Sequence, residues 1–197
     1  MKFSATLLSH LYHVRQQFPA PDLTRRSAVL KNLVFLFHTM RASEQLLELA
    51  IETSEEGTPL RDYFARHLEE ERGHHRWLAA DLLSAGVDVT QTGIPLKAVE
   101  MVGTQYYLVR HLDPAALLGY MAHSECLPTP PGVVDELEAA HGKELLRTLR
   151  YHAEHDADHG RELLQVVDGL PGERQLIVLE SALQSARYFG LATQAFD

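Results

Sequence analysis

The sequence predicts an all-α protein, a single-domain bundle of about seven helices. Every long segment spaces its apolar residues three and four positions apart, the helical repeat, and none alternates with the period of two of a half-buried strand. Pro19, Pro21, Pro59, Pro128, Pro130, Pro131 and Pro171 fall at the ends of those segments or between them rather than in their interiors. At 197 residues, with no repeat and no low-complexity linker, residues 1–197 read as one domain with a full hydrophobic core.

Residues 2–18 place Leu7, Leu11, Val14 and Phe18 on one face, and Pro19 and Pro21 end the segment. Asp22 or Thr24 suits the start of the next helix, which runs to about Thr53 with the stripe Leu33, Phe37, Met40, Glu44, Leu47 and Ile51. Glu44 sits where an apolar residue is expected. Thr58 then serves as N-cap and Pro59 as first helical residue of a segment running to about Ala85, with Gly86 as its stop. Its stripe is Leu60, Phe64, His67, Glu71, His74 and Leu78. Gly73 inside it costs about 1 kcal/mol relative to Ala, which a close approach of another helix would explain.

A loop over 87–94 leads to a helix from Pro95 to His111 with Tyr106 and Tyr107 in its middle. Asp113-Pro114 opens the next, with Leu118, Met121 and Glu125 on one face, ending before Pro128, Pro130 and Pro131. A short helix over 133–140 and Gly142 precede a long one over 143–168. The last covers about Glu173 to Ala195, with Leu176, Leu179, Leu183 and Ala186 facing inward.

The helix over 143–168 is the one around which the rest is organised. Its stripe reads Leu145, Leu149, His152, Asp156, His159, Leu163 and Val166: apolar at both ends, ionisable in the middle. Burying three ionisable groups in a row is costly unless something pairs them. A metal ion accepts two neutral imidazoles and a carboxylate at once. A polar, His-rich outer face is the plainer reading, but Leu and Val continue the stripe on both sides.

Across four stripes the polar intruders are Glu44; Glu71 with His74; Glu125; and His152, Asp156 and His159. These four carboxylates and three imidazoles exceed one tetrahedral zinc and suit two ions bridged by carboxylates. Iron, with manganese as the alternative, fits such mixed sites in helical proteins. Glu44 also reads as a boundary carboxylate paired with an arginine, Glu125 as a solvated helix-end residue. His67, one turn before Glu71, reads as a further ligand, as a core histidine or, the preferred reading, as a donor that hydrogen-bonds to a ligand. Tyr106, Tyr107, Arg110 and Tyr120 are candidates for lining a substrate pocket.

Composition narrows the partners. Net charge is −9, from 18 basic and 27 acidic residues, with no basic patch, so nucleic acid is not an expected partner. The single cysteine, Cys126, excludes an intrachain disulfide framework and fits a reducing compartment. Met1 to Phe18 lacks a signal-peptide pattern, and no apolar run is long enough to span a membrane. The expectation is a cytoplasmic homodimer that takes a small molecule.

The stretch from His67 to Leu82, His-Leu-Glu-Glu-Glu-Arg-Gly-His-His-Arg-Trp-Leu-Ala-Ala-Asp-Leu, resembles the signature of the heme-oxygenase-like di-iron oxidases and oxygenases, the iron-containing redox enzymes. So does the pattern His152, Asp156, His159, and Gly-Tyr-Met-Ala-His-Ser-Glu ending at Glu125 is similar to the family's mid-chain glutamate. The resemblance covers about residues 27–168. It implies a seven-helix heme-oxygenase-like bundle and a labile pair of irons that reacts with dioxygen. It also implies Glu71, His74, Glu125, His152, Asp156 and His159 as metal ligands. Glu44 matches a carboxylate only some members have, and certain members carry a metal-binding glutamate at the position held here by His67.

The function this implies is a non-heme di-iron, dioxygen-activating oxidase or oxygenase acting on a small organic substrate in the biosynthesis of a small metabolite. Three alternatives stand beside it. A ferritin-like site would need a second Glu-x-x-His motif, for which Glu138 and His141 are the only counterpart, close behind Glu125 and next to Gly142. Metal-free thiaminase-like or pyrroloquinoline-synthase-like relatives share the helical fold, and Cys126 invites the thiaminase comparison. A non-enzymatic helical module that merely retains metal is the third.

Overall fold

A computed structural model describes residues 2–196. Its elements are α1 (Phe3–Arg15), α2 (Arg26–Thr53), α3 (Pro59–Glu71), α4 (His74–Ser84), α5 (Leu96–His111), α6 (Ala116–Glu125), α7 (Pro131–His141), α8 (Arg147–Asp168) and α9 (Gly172–Thr193). Two short 3-10 turns, Val89–Gln91 and Lys143–Leu145, complete the order. No strand occurs among the described residues.

Helix starts follow local chemistry where a suitable residue is in register. Thr58 caps α3, its hydroxyl accepting from Arg61 N, with Pro59 next in line. Asp113 accepts from Ala115 N at 2.8 Å at the entry to α6. Asp22 and Thr24 do not cap α2; Asp22 Oδ1 accepts from Thr24 N and Thr24 Oγ1, closing a turn ahead of the helix.

The segment expected as one helix over 59–85 is two. Gly73 adopts φ 88°, the left-handed region that side chains resist, and separates Glu71 at the end of α3 from His74 at the start of α4. A Cβ at Gly73 would meet nothing within 4 Å, so the glycine serves backbone conformation and not close approach.

α2 is the central partition. On one side Phe35, Leu46, Leu47 and Ala50 join the main core with α1, α3, α5, α6 and α9. On the other, Val29, Leu33 and Phe37 meet Leu78 and Leu82 of α4, Leu137 of α7, and Leu145 and Leu146. α6 is buried all round: Ala116 to His123 are every one buried, so no polar stripe exists to read. α9 covers α6 with small residues, among them Ser181, Ala182, Ser185 and Ala186. Of the residues expected to face inward on α9, Ala186 is buried and Leu179 and Leu183 pack against the core, but Leu176 is exposed; at Gly119 of α6 an added Cβ would collide with Val178 O and lie 2.7 Å from Ala182 N.

Gly160 sets the spacing between α8 and α6. A Cβ there would lie 2.7 Å from Glu125 O and 3.2 Å from Cys126 Cα, both backbone atoms. The organising helix is thus held against α6 at the level of the candidate ligands, a tighter packing than its small residues suggest in sequence.

Candidate metal centre

The break at Gly73 shapes the site. His74 Nδ1 donates to Glu71 Oε2 at 2.9 Å across it. Glu44, from α2, stabilises the break: its Oε1 accepts from Gly73 N at 2.7 Å and from His75 Nδ1 at 2.7 Å. Its partners are a backbone amide and a histidine rather than an arginine.

From α8, His152 Nδ1 donates to Asp156 Oδ1 at 2.8 Å. His74 and His152 therefore each commit Nδ1 to a carboxylate and leave Nε2 as the free lone pair, the tautomer a metal-binding histidine requires. Their rings meet edge to face at 5.1 Å. Glu71, His74 and His152 each offer a donor atom, and the three atoms lie within 4.8 Å of one another.

The remaining sequence candidates flank this group. His67 Nε2 lies 3.1 Å from Glu125 Oε1, joining α3 to α6. Glu125 is buried, not solvated. His159 Nδ1 lies 3.7 Å from Glu71 Oε1, and its ring packs edge-on against His67 at 5.3 Å. Glu44 stands outside the converging group, behind the Gly73 break.

Three buried atoms here have no hydrogen-bond partner: Glu125 Oε2, His152 Nε2 and His159 Nδ1. Buried polar atoms left unpaired cost free energy, and a cation pairs such acceptors together. This donor set, carboxylates with Nε2-presenting imidazoles, fits the iron expected from the sequence.

Protonation reflects the crowding. Burial pushes the Glu71 carboxyl up, but the hydrogen bond from His74 and the nearby imidazoles outweigh it and hold it at about 2. Burial pushes Glu125 up; His67 opposes this, while Glu71 and Asp156 add to it. Burial disfavours protonating His67 and His152, yet Glu125 and Asp156 respectively outweigh it, and both end above the usual 6.5. Glu125, His67 and His152 therefore hold their protons more tightly than in water, while Glu71 gives its proton up more readily.

Glu71, His74, Glu125, His152 and Asp156 line a cavity of 220 Å³ between α2, α4, α6 and α8. Tyr120 lines it too, its hydroxyl 3.1 Å from Ser43 Oγ and donating to Thr39 O. Tyr106, Tyr107 and Arg110 do not; they edge a shallow groove on the outer side of α5, where Tyr106 donates to Gln45 and Arg110 pairs with Glu52. His123 is a cavity residue that sequence reasoning missed. Burial pushes its imidazole down to about 3, the Arg15 charge adding to the effect. Its signal was a histidine inside the otherwise apolar run of α6.

The second Glu-x-x-His pair is occupied elsewhere: Glu138 accepts from Arg150, and His141 Nε2 donates to Leu23 O at 2.8 Å. Burial and the Glu125 charge push the Cys126 thiol up to about 12, which disfavours the nucleophilic thiolate form at neutral pH. On the outer side of the centre, Trp77 stacks 4.2 Å from His74 and meets Tyr151 at 5.3 Å.

Two solved structures share the fold. A domain of unknown function with a heme oxygenase-like fold from Shewanella denitrificans OS217 matches 98% of this chain and 86% of its own, with TM-score 0.75 and 15% identity. A TenA homolog from Pseudomonas syringae pv. tomato str. DC3000 matches 98% of this chain and 92% of its own, with TM-score 0.72 and 13% identity. No curated protein matches the sequence. The family model described as iron-containing redox enzyme matches residues 33–190, a span that contains Glu71, His74, Glu125, His152, Asp156 and His159. By that match the chain belongs to the iron-containing redox enzyme family.

Proposed function

We propose that this protein is a non-heme di-iron, dioxygen-activating oxidase or oxygenase that acts on a small organic substrate held in the cavity between α2 and α6. The observation that carries the reading is the convergence of Glu71, His74 and His152 beside the unpaired buried atoms of Glu125, His152 and His159. Family membership and the donor chemistry support iron as the metal.

Glu71, His74, His152, Glu125 and His159 would hold the irons, with Asp156 either ligating or fixing the His152 ring. Bound iron supplies the electrons and open coordination positions that dioxygen reduction needs. Glu71 and Asp156 fix the tautomers of His74 and His152. His67 holds Glu125 in place across the α3–α6 contact. The leucine- and methionine-lined cavity excludes water from the same space.

The test is anaerobic titration with ferrous iron, followed by oxygen-uptake measurements with candidate small molecules. Saturation near about two equivalents and substrate-dependent uptake are expected. Saturation at one equivalent would contradict the paired-iron assignment. Metal binding without substrate-dependent uptake would favour a non-enzymatic metal-binding module, and activity that survives complete metal removal would favour the metal-free alternatives.

A further inference from the structure

The cavity holds more polar groups than the metal centre uses. Arg15, at the end of α1, lines it. One guanidinium N–H donates to Leu127 O, and no carboxylate among the described residues pairs with this cation. His123 lines the same cavity, is 5% exposed, and has an Nδ1 atom with no partner. Arg15 lies near enough for its charge to act on that ring. Asn32 Oδ1 is a second buried atom without a partner, from the α2 wall. Of all the lining residues only Arg15 and Ser124 are exposed, so the cavity meets solvent on Arg15's side.

The rest of the lining is apolar, including Leu33, Leu36, Met40, Leu117 and Phe189. Along α2 the lining residues run from Asn32 to Leu47, about 22 Å at helical rise. The cavity is therefore elongated and greasy, with one unpaired cation at its mouth and the metal-centre residues on its wall.

We propose that Arg15, with His123, forms an anchoring site for the carboxylate of a monoanionic substrate whose apolar body lies along α2 toward Glu71, His74 and His152. The inference rests on the cavity being the substrate site of the proposed oxygenase. A guanidinium with free N–H groups presents a planar fork that matches a carboxylate. His123 adds a ring nitrogen beside it. Nothing else lining the mouth carries positive charge, which suits one negative charge rather than the several of a phosphate ester. The anchor places the head group at Arg15 and leaves the body, not the carboxylate, to approach the metal centre.

The experiment is calorimetric binding of octanoate and 4-phenylbutanoate, with their neutral primary amides as controls, to the wild type, R15Q and R15K. Each is measured metal-free and after anaerobic iron loading, with circular dichroism to confirm the fold. Wild type should bind each carboxylate about tenfold more tightly than its amide, a preference R15Q removes. R15K should keep part of it, since the charge remains and the fork is lost. H123L should weaken the carboxylates while leaving amide binding closer to wild type. A preference that survives R15Q and disappears on metal removal would place the carboxylate on the metal and overturn the anchor. Equal binding of acid and amide, or no binding of any probe to the wild type, would overturn it as well. Failure to bind iron, with the Arg15-dependent preference intact in the metal-free protein, would instead count against the oxygenase reading alone.

Discussion

Glu44 Oε1 accepts the backbone N–H of Gly73 at 2.7 Å, so a carboxylate on α2 holds the left-handed residue that parts Glu71 from His74. Removing it leaves the Gly73 amide without this partner, and E44A should lower stability by about 1–3 kcal/mol. It should also weaken metal binding, because His74 loses its fixed position. E44Q, which keeps an acceptor oxygen, should retain most of both. Chemical denaturation and metal titration of the two variants provide the check; identical metal binding in E44A and the wild type would separate Glu44 from the site.

Gly160 packs against the backbone at Glu125 and Cys126. G160A must push α8 away from α6 and should cost about 1–3 kcal/mol by overpacking. It should also lower metal occupancy, since His159 and Glu125 sit at the displaced contact. A157S, at an exposed position one turn earlier, is the control and should change neither. A thermal midpoint for G160A equal to wild type would show that α6 yields without cost.

Asp156 accepts from His152 Nδ1, and D156A removes that acceptor. Metal affinity should fall by about 10–100-fold, with one iron affected more than the other and the helical circular dichroism signal retained. D156N distinguishes two roles. If Asp156 only orients His152, its amide oxygen still accepts and affinity stays near wild type; if Asp156 ligates, D156N should resemble D156A.

Stability should respond to pH with opposite slopes in the metal-free and metal-loaded protein. His67 and His152 are held above 6.5 in the folded chain, and Glu125 is also raised. Groups raised on folding stabilise the protein below their unfolded values, a contribution lost as pH rises through the folded ones. Glu71 is depressed to about 2; its contribution is present above 4.5 and lost as pH falls through about 2. The metal-free protein should thus be most stable near the ordinary carboxylate value of 4.5, lose the Glu125 contribution above it, and lose the His67 and His152 contributions from pH 6.5 upward. With iron or manganese bound, the imidazoles must be deprotonated, so stability should rise over the same range. At a hundredfold excess over the dissociation constant, metal should add about 2.7 kcal/mol. Parallel thermal-melt profiles in the two states would contradict this.

Trp77 is the only tryptophan and packs at 4.2 Å against His74, so its fluorescence should report whether that candidate ligand takes up metal. Anaerobic ferrous iron should quench it, and H74A should abolish the response while leaving a weaker remaining metal-binding isotherm. Quenching that persists in H74A would place the iron elsewhere.

Much of this arrangement was legible in sequence, because an ionisable residue in an apolar stripe is visible at helical spacing. His152, Asp156 and His159 stand out between Leu149 and Leu163, and His67, Glu71 and His74 between Phe64 and Leu78. The break at Gly73 was not legible, because the stripe continues in phase across it and a positive φ leaves no mark on its neighbours. On α9 the spacing identifies Leu179, Leu183 and Ala186 correctly as inward but Leu176 wrongly, because the small residues buried against α6 carry less apolar signal than this exposed leucine. Tyr106 and Tyr107 drew attention as aromatics, whereas the cavity residue His123 sat inside a helix buried on every side, where periodicity has nothing to contrast.

The parting of the donors along the chain bears on when the site comes into being. Glu71 and His152 are separated by about eighty residues, and contacts of that sequence range close late and slowly. Before α8 docks on α3 and α4, a metal ion can meet only local fragments, the Glu71–His74 pair or the His152–Asp156 pair. The complete set of donors is therefore a property of the finished tertiary structure. The rate at which a refolding chain gains tight metal binding should follow the docking of α8, not the earlier formation of the helices themselves.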